Sequence, residues 1–141
     1  MEWFFLAALS AFFAALVAVF AKIGLQGIDS NVAAAVRAII MAAFIVAFVI
    51  STGKGDKMLQ FSSQDMGWIT LSGIAGALSW LFYFAALKLA EASRVAMIDR
   101  ASILIVIVLS ALFLGEKITL KTSVAGILIF TGLLLLTVKL G

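Results

Sequence analysis

Charged side chains lie inside segments of this sequence that are otherwise apolar enough to occupy lipid. They are Arg37, Asp99 and Arg100. A charged side chain at the centre of a bilayer costs about 3 kcal/mol on insertion scales, so such residues usually face protein or water and pair there. At a rise of 1.5 Å per residue, Arg37 and Asp99 lie at similar depths, roughly 7 to 9 Å inside their segments from the same membrane face. We therefore predict that Arg37 and Asp99 form an ion pair.

Arg100 adds a second positive charge to this cluster. It follows Asp99 directly but points about 100° away on a helix, so it can face a neighbouring helix, a second subunit or the membrane interface. Pairing Arg37 with Asp99 leaves one positive charge unbalanced. Two interpretations stay open: this charge receives a carboxylate or phosphate, or Arg100 extends its side chain to the lipid headgroups.

A polar stripe runs along the third apolar segment. Its residues are spaced four, three and four apart and share one helical face: Ser72, Gly76, Ser79 and Tyr83. Such a stripe is typical of close helix packing in membranes, and it is also what a cavity lining requires. Trp80, next to the stripe, favours the cavity, because a polar-tipped aromatic ring usually lies in the interfacial belt rather than deep in a span.

The fourth segment extends this pattern, because Asp99 and Ser102 share a face there. The polar and charged positions within the apolar segments are the predicted contacts of a small-molecule substrate. They are Arg37, Ser79, Trp80, Tyr83, Asp99, Arg100 and Ser102.

The elements that carry these residues are five apolar blocks. The chain is 65% hydrophobic and 12% charged, and its mean hydropathy is +1.27. The blocks run from Trp3 to Phe20, Val32 to Ile50, Trp68 to Leu87, Val95 to Leu114 and Val124 to Val138. Each approaches the ~20 residues that a helix needs to cross a bilayer. The sequence therefore predicts an all-α, polytopic membrane fold of five transmembrane helices in a single domain, residues 1–141.

The odd number of crossings places the two termini on opposite membrane faces. Positive charges in the joints are balanced, four on each face. The N-terminal face receives Lys54, Lys57, Lys117 and Lys121, and the other receives Lys22, Lys88, Arg94 and Lys139. Because Lys and Arg asymmetry sets orientation, this balance predicts insertion both ways and an antiparallel homodimer. The alternative is that the charge bias is weak and the insertion machinery decides the orientation.

Several function classes are disfavoured by composition. The chain has no cysteine and no histidine, which excludes thiol chemistry, disulfides and histidine metal sites. No nucleophile with an adjacent base is visible, so we predict neither an enzyme nor a cofactor or metal. The net charge of +3 is spread over joints and helix ends, so the sequence has no clustered basic patch that would bind nucleic acid.

Motifs distributed along nearly the whole chain carry a family resemblance. They are Ala21-Lys22-Ile23-Gly24, Val36-Arg37, Ser72-Gly73, Leu78-Ser79-Trp80, Tyr83, Ala86-Leu87, Glu91-Ala92-Ser93-Arg94-Val95-Ala96, Ile98-Asp99-Arg100, Phe113-Leu114-Gly115-Glu116-Lys117-Ile118-Thr119, Gly126-Ile127-Leu128-Ile129 and Gly132. Together they resemble the EamA-type domain of the drug/metabolite transporter superfamily, in its short, single-domain, five-helix form. The Phe-Leu-Gly-Glu segment is the most specific of these motifs.

The resemblance implies a multi-pass transporter or exporter of small metabolites in the inner membrane, working as two inverted five-helix halves by alternating access. The alternative is a non-transporting membrane scaffold or assembly partner, whose polar faces only hold helices together. Two departures from the superfamily matter. Met97 stands where proline is expected, which predicts that a helix irregularity is missing. The first helix has no carboxylate beyond Glu2, so proton-coupled export of bulky cations, as in small multidrug transporters, is not expected.

Overall fold

The computed structural model describes residues 1–137, which form helices and joints without any strand. The α-helices are α1 (Glu2–Gly24), α2 (Ser30–Ser51), α3 (Ser63–Leu89), α4 (Ala92–Asp99), α5 (Ser102–Leu109) and α6 (Leu120–Thr137). A 3₁₀ turn covers Gly55–Leu59, and a π turn covers Ser110–Leu114. Val138, the predicted end of the fifth block, and Lys139 lie outside the described residues.

The predicted all-α membrane fold is confirmed. Within the described chain, four helical stretches are long and apolar enough to cross a bilayer: Glu2–Gly24, Ser30–Ser51, Ser63–Leu89 and Ala92–Leu114. The apolar part of α6, Leu120–Leu136, is shorter. Large apolar side chains are exposed around these helices, which is the pattern of a helix surrounded by lipid or by other apolar helices.

Side-chain caps fix where two of the spans begin. Asp29 accepts hydrogen bonds on Oδ1 from the backbone N–H groups of Asn31, at 2.9 Å, and Val32, at 3.2 Å. Before α3, the Ser62 hydroxyl accepts from the Asp65 backbone N–H at 3.1 Å and donates to the Asp65 carboxylate at 2.6 Å. Each cap satisfies N–H groups that the first helical turn leaves free.

The fourth crossing is interrupted, so the prediction that it lacks an irregularity is wrong. The backbone N–H of Arg100 donates to the Met97 carbonyl at 3.1 Å, and that of Ala101 donates to the Ile98 carbonyl at 2.9 Å. These bonds span three residues instead of four, which tightens the helix between α4 and α5. Proline is not needed, because the N–H groups stay bonded and only change their acceptors.

The chain divides into two compact units. One comprises residues 1–18 and 90–137 of the described chain, and the other comprises residues 19–89. Within the first unit, α6 packs against α4 and α5. Gly126 is buried there, and a methyl group at its Cα would lie 3.5 Å from Leu104 and 3.6 Å from Ile107. A small residue thus allows these helices to approach closely. Within the second unit, α2 packs along α3.

Candidate functional site

A groove of about 400 Å³ lies between α2 and α3, wholly inside the unit formed by residues 19–89. Its lining comprises Ala34, Ala35, Arg37, Ala38 and Met41 of α2 with Gly73, Gly76, Ala77, Trp80 and Leu81 of α3. Volumes of about 300–1,000 Å³ are typical of small-molecule sites. The groove is therefore large enough for a small ligand.

Small side chains create this space. Gly73 and Gly76 lie one helical turn apart on α3, and a methyl group added to either would meet no atom within 4 Å. The facing part of α2 presents Ala34 and Ala38. In a membrane protein, stripes of small residues usually bring two helices into contact. Here the same residue types line a hollow between the two helices.

Arg37 and Trp80 form the polar part of the groove. The guanidinium carbon of Arg37 lies 3.5 Å from the centre of the Trp80 ring and 5.9 Å from that of Phe84. A cation over a tryptophan face gains about 0.5–2 kcal/mol, more where water is excluded. Within residues 19–89 the Arg37 guanidinium makes no hydrogen bond or ion pair. Within that unit, its N–H donors are therefore without acceptors.

Neighbouring rings hold Trp80 in place. Its ring centre lies 5.5 Å from that of Tyr83 and 5.8 Å from that of Phe84, at interplanar angles of 76° and 65°. Edge-to-face pairs of this kind are favourable. Phe84 is buried, with 3% of its surface exposed. Trp80 is consequently a fixed surface against which the Arg37 side chain is oriented.

The predicted residues of the third segment separate into distinct positions. Trp80 lines the groove together with Arg37, whereas Tyr83 is half-buried and contacts the Trp80 ring. Ser79 is exposed and does not line the groove. The sequence interpretation missed Gly73 and the α2 alanines as lining residues. Their spacing at one helical turn on adjacent helices was the available signal.

The other predicted residues belong to the unit that contains α4 and α5. Asp99 ends α4, Arg100 lies in the interruption, and Ser102 begins α5. All three are exposed. Since Arg37 and Asp99 fall in different units, their ion pair stays a prediction.

Comparison with known proteins identifies the family. A model of the EamA-like transporter family matches residues 1–138. The chain belongs to the EamA-like transporter family. The resemblance inferred from the motifs is thereby confirmed, and the protein is a short, single-domain, multi-pass membrane transporter.

A relative of similar length supports this membership. The chain is 44% identical over 137 residues to a protein of Sinorhizobium sp. described as an uncharacterized transporter in the cobO 3′ region, and the match covers 97% of each chain. No solved structure matches the chain significantly. EamA-like membership makes transport the expected activity of the chain, and it leaves the transported compound open.

A double-mutant cycle tests the contact between Arg37 and Trp80. Because Arg37→Met and Trp80→Leu remove the same interaction, the double variant should lose less stability than the two single losses combined, with a coupling of about 1 kcal/mol. The free energy of unfolding in detergent measures this coupling. The control cycle combines Arg37→Met with Trp68→Leu, because the Trp68 ring lies on the same helix and is exposed. Equal coupling in both cycles would show that Trp80 is not the partner of Arg37.

Proposed function

We propose that this transporter is a secondary transporter of a small molecule that works as an antiparallel homodimer in the inner membrane. Each copy contributes one five-helix domain, residues 1–141, and the two copies exchange roles during alternating access. The observation that carries the proposal is the groove between α2 and α3, where a cationic side chain that has no acceptor within residues 19–89 borders a space of about 400 Å³. A scaffold has no use for such a space.

The antiparallel arrangement follows from the crossing number and the loop charges. A second copy of an odd-helix domain must be inverted to make the inverted-repeat pair that many transporters use. The positive charges in the joints are balanced between the two faces, which permits both orientations. The exposed apolar side chains around the helices supply surface for lipid and for the second copy.

Alternating access requires a substrate contact that persists while the surrounding helices move. Arg37 and Trp80 are the proposed centre of that contact, supported by Tyr83. Asp99, Arg100 and Ser102 are proposed as further contacts, since interrupted helices at mid-membrane bind substrates in many transporters. Ser79 is proposed to contact the substrate only in a state that differs from the one described.

Labelling of single cysteines tests the homodimer's inverted arrangement. The chain has no native cysteine, so a cysteine introduced at Gln26 or Thr52 is the only thiol that the reagent can label. Both positions lie in exposed joints, on opposite faces. With a membrane-impermeant thiol reagent in intact cells and in inverted vesicles, each site should be labelled partly from both sides. Complete labelling of each from one side only, on opposite faces, contradicts the arrangement.

Filling the groove tests whether it is the transport path. In proteoliposomes assayed with a panel of labelled metabolites, Gly76→Leu should reduce uptake of the transported compound at least tenfold, because the leucine side chain occupies the open space. Gly67→Leu is the matched control, since Gly67 lies on the same helix, also has open space around its Cα, and does not line the groove. Equal uptake by the two variants would show that the groove is not part of the transport path. If wild-type protein transports nothing on the panel, the scaffold alternative is favoured.

A further inference from the structure

The groove specifies the charge of its ligand. We propose that the substrate is a small organic anion with one carboxylate and an apolar body, bound through Arg37 while Trp80 supports the guanidinium from behind. This inference rests on the proposed transport function, and it adds the chemical class of the substrate.

Stacking leaves the hydrogen-bonding edge of Arg37 free. A guanidinium is planar, and all of its N–H donors point outward in that plane. Trp80, at 3.5 Å from the guanidinium carbon, covers one face of the plane and uses none of these donors. The edge of a guanidinium matches a carboxylate, with two parallel N–H···O bonds. Arg37 is thus oriented by a contact that does not compete with an anion.

No acidic residue of the same unit lines the groove. Apart from Arg37, the lining consists of alanine, glycine, methionine, tryptophan and leucine. Asp29 caps α2, and Asp65 bonds to Ser62 at the start of α3. Arg37 is eight residues beyond Asp29, about 12 Å along the helix axis. The groove therefore has a net positive charge, which is felt strongly in an apolar surrounding and disfavours a cationic ligand.

Volume and lining restrict the rest of the ligand. At about 30 Å³ for each water-sized group, the space of about 400 Å³ holds roughly a dozen non-hydrogen atoms. A second charged group on the ligand would face only alanine, glycine, leucine and methionine side chains and would lose its hydration without compensation. A ligand with a single carboxylate on an apolar or aromatic body fits both the volume and the apolar lining of the groove.

Trp80 provides a binding signal that does not depend on transport. The chain has three tryptophans, so Trp3→Phe with Trp68→Phe leaves Trp80 as the sole one. In nanodiscs of neutral phosphatidylcholine, benzoate should change Trp80 fluorescence saturably. Benzamide and benzylamine, which have the same ring without the negative charge, should bind at least tenfold more weakly. Equal affinity for benzamide would overturn the proposal.

Variants of Arg37 assign the anion contact. Arg37→Met should weaken benzoate binding at least tenfold. Arg37→Lys keeps the charge but lacks the planar pair of donors, so it should bind benzoate with intermediate affinity. This variant tests the anion contact if the methionine variant does not fold. Arg94→Met, which removes an exposed arginine paired with Glu91 at 3.0 Å, should bind as the parent does. Unchanged binding in both Arg37 variants overturns the proposal.

Two further measurements separate this inference from its rivals. In nanodiscs containing anionic phosphatidylglycerol, benzoate affinity should stay within a factor of about two after correction for surface potential; loss of binding there would identify a lipid phosphate as the anion at Arg37. Uptake of a neutral or cationic metabolite by reconstituted wild-type protein, together with no benzoate binding, would overturn the substrate class and leave the transport function standing. Benzoate binding without transport of any compound would overturn the transport function and leave the anion site standing.

Discussion

The stacking of Arg37 on Trp80 is the interaction on which the site depends. A guanidinium inside a membrane-spanning helix needs compensation, because its hydration is lost there. The structure supplies part of it with an aromatic face at 3.5 Å, and Tyr83 and Phe84 fix that face in turn. Within residues 19–89 this compensation comes from aromatic rings rather than from a carboxylate, so the unit stabilises the charge without neutralising it.

The groove gives that charge an open space in which we propose that a ligand binds. Gly73 and Gly76 leave the space in front of it open, and the remaining lining is apolar. The proposed substrate carboxylate would supply the negatively charged group that no acidic residue of the same unit places in the groove. A transporter's binding site must also hold its substrate weakly enough to release it.

Much of the fold follows directly from the sequence, because membrane helices are specified by apolar composition and length. The predicted blocks agree with α1, α2 and α3, and the structure extends each by a few residues at the caps. The interruption at Arg100 and Ala101 was not predictable in this way. It arises from a change of hydrogen-bond acceptors that no proline marks.

The site was predictable in part. Arg37 and Trp80 are conspicuous in sequence because a charge and a polar-tipped ring are costly in lipid, and the structure brings these two together. The sequence also assigned Asp99 to Arg37 as an ion-pair partner, and that pairing stays a prediction, whereas the stacking on Trp80 was not predicted because charge complementarity is easier to recognise than stacking. The spacing of Gly73 and Gly76 could have indicated a lining face, but it could not show that the face would be open, since small residues allow close packing as readily as an open space. Which occurs depends on the bulk of side chains elsewhere along the two helices.

The space beside Arg37 is proposed to admit water and a small anion within the membrane. Single cysteines at Ala38 and Ile39 test it at one depth, because Ala38 lines the groove while the adjacent Ile39 is directed elsewhere, with 70% of its surface exposed. In membranes, a small anionic thiosulfonate should modify the cysteine at position 38 at least tenfold faster than that at position 39, and benzoate should slow the reaction. Equal rates at the two positions, without protection by benzoate, would contradict the account.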